Sequence, residues 1–178
     1  MQLKPYEPDN LIFIDTEFTS LEPATGQILS LAMIKLTGEE LYLELEYVGD
    51  VDPWVKRHIL PTLTNPKVTV HEACRQIRDF LGPKMPFAVA YVDNYDSLYF
   101  VKMFGAGKLP FKWMTIDFSS ILFASGINPT KLLATESGAK TFYKSLGIDL
   151  TKYQQHHALD DARMIRDVWL AIVKKGKM

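Results

Sequence analysis

The chain has 178 residues, 47% of them hydrophobic and 23% charged, which suits one soluble domain with a full core and excludes a disordered chain. Its 20 basic and 21 acidic side chains leave a net charge of −1, too little positive charge to coat long nucleic acid but compatible with gripping a few phosphates. The single cysteine, Cys74, excludes a disulfide framework and a cysteine-rich zinc site. It suits a reducing compartment, and no charged-then-apolar leader opens the chain, so a cytoplasmic setting is expected. The most apolar run, Ile28 to Leu36, is cut by Ser30 and Lys35 and is too short to cross a bilayer.

No repeat, low-complexity tract or linker-like break divides the sequence, so residues 1–178 read as one domain. Leu11 to Asp15 is apolar on both alternating faces, as in a strand covered on both sides. Gln27–Leu36 and Leu41–Tyr47, parted by Gly38, read as a hairpin. The period then lengthens: Val51–Leu63, with Pro53 near its start and Pro61 near its end, and Val70–Leu81 read as helices. Phe87–Val92 is a short buried strand, Asp96–Phe104 a helix and Met114–Ile116 a further strand. Lys131–Leu146 and Ala158–Lys174 close the chain as helices. This order predicts an α/β domain built on a mixed sheet.

Carboxylates interrupt the apolar faces of these elements in three places. Leu11, Phe13, Asp15 and Glu17 share one face of the first strand, so two acids project side by side from its end. Like charges in a low dielectric raise each other's pKa, and a divalent cation with oxygen ligands is the usual remedy. An isolated Asp-x-Glu more often simply caps a loop, with Glu17 already outside the strand. Asp96 lies on the stripe of Tyr99, Phe100 and Met103, although an Asp opening a helix can be a plain N-cap. Asp93, in the preceding turn, fits a turn residue.

In the last helix, Asp161 shares a face with Ile165, Val168 and Ile172. Asp160, Arg163 and Asp167 fall on the polar face, where Asp160 reads as a solvated charge. An inward Asp161 with no cation on its stripe needs a partner. His156-His157 lies just upstream. A histidine five residues ahead sits about 140° from Asp161 around a helix, so His156 reaches the same cleft only by preceding that helix. Inward acids in three separated segments, with a histidine, are how two-metal phosphoryl-transfer sites are assembled.

These residues resemble the histidine-bearing branch of the DEDD superfamily of 3′–5′ exonucleases, which has an RNase H-like fold. The first motif matches Ile14-Asp15-Thr16-Glu17-Phe18 and the second Tyr95-Asp96. The third, H-x-A-x-x-D-A, matches His156-His157-Ala158-Leu159-Asp160-Asp161-Ala162. Within the superfamily the sequence is similar to the RNase AS exoribonucleases, through Trp54-Val55-Lys56-Arg57-His58-Ile59-Leu60-Pro61-Thr62-Leu63 and Ala90-Tyr91-Val92-Asp93-Asn94-Tyr95-Asp96. Phe18 closes the first motif as it does there, whereas proofreading-type exonucleases usually carry Thr. Thr19-Ser20-Leu21-Glu22-Pro23 resembles oligoribonuclease and proofreading subunits instead.

The resemblance implies an exonuclease releasing 5′-mononucleotides from single-stranded RNA 3′ ends with two Mg²⁺ or Mn²⁺ ions. Asp15 would bridge the ions, Glu17 and Asp161 would hold the one that activates water, and Asp96 would act at the second. His156 would be the general base. Phe18, Thr19 and Leu21 would contact substrate, with Phe18 either stacking on the terminal base or packing under the strand end. Trp54 is read as a helix anchor in the core or at a subunit contact, Asp117 as structural, and a homodimer is expected. Lys131, Lys140, Lys144 and Lys152 either steer phosphates or form solvated surface. A DNA-directed exonuclease with the same site, a binding module that no longer turns over and a structural cation site are the competing readings.

Overall fold

In the computed structural model, which describes residues 10–132 and 137–174, β1 (Leu11–Phe18) forms the middle of the fold and is apolar on both faces from Leu11 to Ile14. It pairs antiparallel with β2 (Ile28–Lys35), which pairs antiparallel with β3 (Glu40–Leu45). On its other side β1 runs parallel to β5 (Phe87–Ala90), and β5 parallel to β6 (Ile116–Asp117). The two-residue β4 (Lys67–Val68) adds parallel to β3, completing the order β4-β3-β2-β1-β5-β6.

Alternation along β1 sends its side chains into two cores. Leu11 and Phe13 pack with Ala32, Ile34 and Val89 against α4 (Phe118–Ala124), α5 (Ser137–Leu146) and α6 (Ala158–Lys174). There Phe13 meets Trp169 edge-on, with ring centroids 5.8 Å apart. Ile12 and Ile14 pack with Leu31 and Met33 against α2 (Val70–Leu81) and α3 (Asn94–Phe104). Phe13 is fully buried, and truncating it to alanine would cost about 3–5 kcal/mol. Among the described residues no helix is long and apolar enough to cross a membrane.

The helices expected at Val70–Leu81 and Ala158–Lys174 have those bounds. The one expected over Val51–Leu63 is shorter. The Asp52 side chain accepts the Trp54 amide at 2.7 Å and α1 (Pro53–His58) starts on Pro53. A 3-10 turn, Leu60–Thr62, follows, because Pro61 has no N–H and collides with the preceding turn. The strand expected at Met114–Ile116 forms at Ile116–Asp117, and α4 follows it at once, N-capped by Asp117. The Lys131–Leu146 helix is reduced to a 3-10 turn at Pro129–Leu132 and α5 from Ser137; residues 133–136 of that expectation lie outside the described residues.

Candidate active site

The end of β1 supplies Asp15 and Glu17, on the Leu11–Phe13 face that looks toward α6. Asp161 comes from the first turn of α6 and accepts the backbone N–H groups of His156 and His157, an arrangement favoured by the positive end of the helix dipole. The carboxylate oxygens of Asp15, Glu17 and Asp161 all lie within 4.8 Å of one another. Asp96, in the first turn of α3, is only 6% exposed. It is held from behind by the Thr16 hydroxyl, which donates to its Oδ1 at 2.5 Å. Asp96 is therefore not an N-cap; that position is Asp93. The fold thus joins three of the four expected acids directly and sets the fourth beside them.

Their surroundings raise the pKa of all four acids. Burial, then Asp96, Asp161 and Glu17, pushes Asp15 well above the usual carboxylate range. Burial followed by Asp161 and Asp96 pushes Glu17 up to about 8. Asp161 is pushed up to about 7, chiefly by burial and against its backbone hydrogen bonds. Asp96 is also raised to about 7 by burial, with the Thr16 hydroxyl opposing. Among the described residues no lysine or arginine forms an ion pair with any of the four. A largely shielded all-oxygen donor set with no counter-charge among the described residues fits a hard divalent cation such as Mg²⁺ or Mn²⁺ and disfavours a soft one.

His156 precedes α6, as expected from the sequence, in the left-handed backbone region at φ 57°. With Asp15 and Asp161 it borders a cavity of about 210 Å³ whose wall includes Tyr91, Tyr143 and Tyr153. Its ring lies edge-to-face on Trp54 at 5.0 Å. Trp54 in turn stacks on His58 at 4.5 Å, and a His58 ring nitrogen meets the Trp54 carbonyl at 2.8 Å. Partial burial, then the charge of His58, holds the His156 pKa below its ordinary value. His157 turns away: its ring packs on Tyr42 at 5.0 Å, and its Nδ1 lies 3.8 Å from Asp160.

Several expectations need correction. Asp160 is not a solvated charge: its side chain is 16% exposed, accepts from Arg163 at 2.8 Å and takes the Gln154 amide at 3.0 Å. Arg163 continues to Glu40, tying α6 to β3. Trp54 is 42% exposed and stands beside His156 rather than in the core. Phe18 is half-buried and stacks on Tyr99 at 4.1 Å. Thr19 is buried, its hydroxyl accepting the Gln27 amide at 2.9 Å, while Leu21 is 60% exposed. Asp117 is structural as expected, accepting the Val92 and Ser119 amides. Lys140, Lys144 and Lys152 are exposed and none borders the cavity beside Asp161; the Lys131 side chain lies outside the described residues.

No protein-family model and no curated protein matches the chain. Solved structures do. Exonuclease I from Methylocaldum szegediense superposes with a TM-score of 0.65 at 18% identity, over 93% of this chain and 40% of that one. Escherichia coli exonuclease I in its zinc-bound complex with single-stranded DNA gives 0.66 at 16% identity, over 96% of this chain and 41% of that one. A chain of the yeast NOT1 MIF4G domain structure co-crystallised with CAF1 gives 0.56 at 12%, over 95% and 79%. The sheet and its flanking helices therefore have the RNase H-like exonuclease fold. The chain spans about two fifths of the length of the exonuclease I chains it resembles.

Proposed function

We propose that the chain is a divalent-metal-dependent 3′–5′ exonuclease that removes 5′-mononucleotides from single-stranded ends, acting on RNA in the manner of the RNase AS group and working as a homodimer. The observation that carries this reading is the half-buried cluster of Asp15, Glu17 and Asp161, held within 4.8 Å and, among the described residues, without a cationic partner; two of its members, Asp15 and Asp161, border a cavity together with His156. The fold likeness to exonuclease I complexed with single-stranded DNA supports a nuclease and keeps DNA as the alternative substrate.

In this reading Asp15, Glu17 and Asp161 hold the cation, with Asp96 completing the site from α3. When bound, two such ions neutralise the phosphate, acidify the attacking water and stabilise the leaving oxygen. The chain's own groups do the rest. His156, kept neutral by its lowered pKa, accepts a proton from the water at an imidazole nitrogen. Trp54 limits the swing of that ring, and Thr16 fixes Asp96. Phe18 and Leu21 contact the terminal nucleotide, Phe18 through whatever ring surface Tyr99 leaves open.

The test is chromatographic. Protein with Mg²⁺ should release nucleoside 5′-monophosphates from a single-stranded oligonucleotide; protein with EDTA, or Asp15→Asn with Mg²⁺, should release none. Equal release in all three samples would end the proposal.

A further inference from the structure

The segment between β1 and β2, residues 19–27, is a closed loop. The Thr19 amide donates to the Gln27 carbonyl at 2.8 Å, and the Gly26 amide to the Glu22 carbonyl at 2.8 Å. Leu21 stands exposed on it. Such a loop leaves carbonyls turned inward, and two side chains of α3 satisfy four of them and approach a fifth. The Tyr99 hydroxyl donates to the carbonyl of Ser20 at 2.5 Å and lies 3.3 Å from that of Glu22. The Lys102 ammonium donates to the carbonyls of Pro23 at 3.0 Å, Ala24 at 3.3 Å and Gly26 at 2.5 Å. The loop wraps the ammonium much as it would a bound cation. Gly26 is the residue this closure demands, because a Cβ there would lie 1.9 Å from the Tyr99 hydroxyl.

The two clasping side chains are not independent of the acidic site. Asp96, Tyr99 and Lys102 follow at intervals of three along α3, so they lie along one side of the helix. Asp96 lies beside the carboxylate cluster, the Tyr99 ring stacks under Phe18 at 4.1 Å, and Lys102 grips the far end of the loop. One rigid helix therefore sets the distance between the acids and the loop that bears Leu21.

We propose that Tyr99 and Lys102 are positioning residues that fix the 19–26 loop relative to the acidic site, and so set where the terminal nucleotide rests. The inference rests on the nuclease reading above. Neither side chain reaches the reacting atoms. Their removal should loosen nucleotide binding while leaving the chemical step largely intact, because ordering the loop would then have to be done at the expense of substrate binding.

The experiment compares wild type, Lys102→Met, Lys102→Arg and Tyr99→Phe. Steady-state kinetics on a single-stranded oligonucleotide are paired with hydrogen exchange of the loop amides. Lys102→Met keeps the aliphatic stem, and Tyr99→Phe keeps the ring under Phe18. Both should raise KM roughly tenfold with kcat changed about twofold or less, and Lys102→Arg should recover most of the loss. Amides of residues 20–26 should exchange faster in the two damaging variants. An active wild type whose KM is unmoved by both variants overturns the positioning role alone. A fall in kcat at constant KM also overturns it. A wild type that shortens no strand overturns the nuclease reading and takes this role with it.

Discussion

Asp161→Asn should stabilise the metal-free protein and abolish its activity. Asp161 is pushed from 3.8 to about 7, chiefly by burial. Below about pH 4 it is protonated in folded and unfolded chains alike, so the substitution changes little there. Between about pH 4 and 7 the unfolded chain releases this proton and the folded chain retains it. Wild-type stability therefore falls as pH rises through that window and levels off above it. At about 1.4 kcal/mol per pH unit the full penalty is roughly 4 kcal/mol, or about 10 °C in Tm for a chain of this size. Asparagine keeps an oxygen to accept the His156 and His157 amides but carries no charge. Thermal melts in EDTA should coincide near pH 4 and separate by that amount at pH 8, with the variant higher. Adding Mg²⁺ at pH 8 should raise the wild-type Tm and leave the variant unmoved. A variant that melts below wild type at pH 8 in EDTA would refute the reasoning, because Asp161 would then have a favourable native partner and the cluster would be structural.

Further predictions concern the groups around these acids. His156→Ala should cut kcat by about 100-fold or more while the Mg²⁺-induced rise in Tm persists. His157→Ala, which loses the packing on Tyr42, should lower Tm slightly with kcat nearly unchanged; the reverse pattern would mean the third motif has been read out of register. Thr16→Val removes the hydroxyl that donates to Asp96 at 2.5 Å. It should weaken Mg²⁺ binding in a titration and lower Tm by a few degrees, at about 1–3 kcal/mol for such a hydrogen bond; an unchanged Mg²⁺ affinity would separate Asp96 from the metal site.

Much of the site was legible because its chemistry contradicts its surroundings. Asp15 and Glu17 continue the period of a buried strand, and Asp161 that of a buried helix face, so period alone marks them as inward. Period alone also misassigned Asp160, since a polar-face residue at the start of a helix can still be covered by the chain folding back. Here Arg163 and the Gln154 amide cover it. Trp54 was read as a helix anchor in the core or at a subunit contact; its stacking on His58 at i+4 is local and places it beside His156, which removes the core alternative only. Lys102 gave no signal at all. A lysine late in a helix looks solvated, and its three carbonyl partners come from a loop 76 to 79 residues away. The two-residue β4 and the short α4 carry too few residues to show a period.

The most direct test of the central claim uses 5′-labelled single strands of equal length: mixed-sequence RNA, oligo(A) and mixed-sequence DNA. Each is incubated with Mg²⁺, Mn²⁺ or EDTA and the products are resolved by length. The account predicts a metal-dependent ladder of labelled products shortening one nucleotide at a time from the 3′ end, fastest on an RNA strand. Strands left intact in every lane by folded, metal-loaded protein would contradict it and favour a nucleic-acid-binding module.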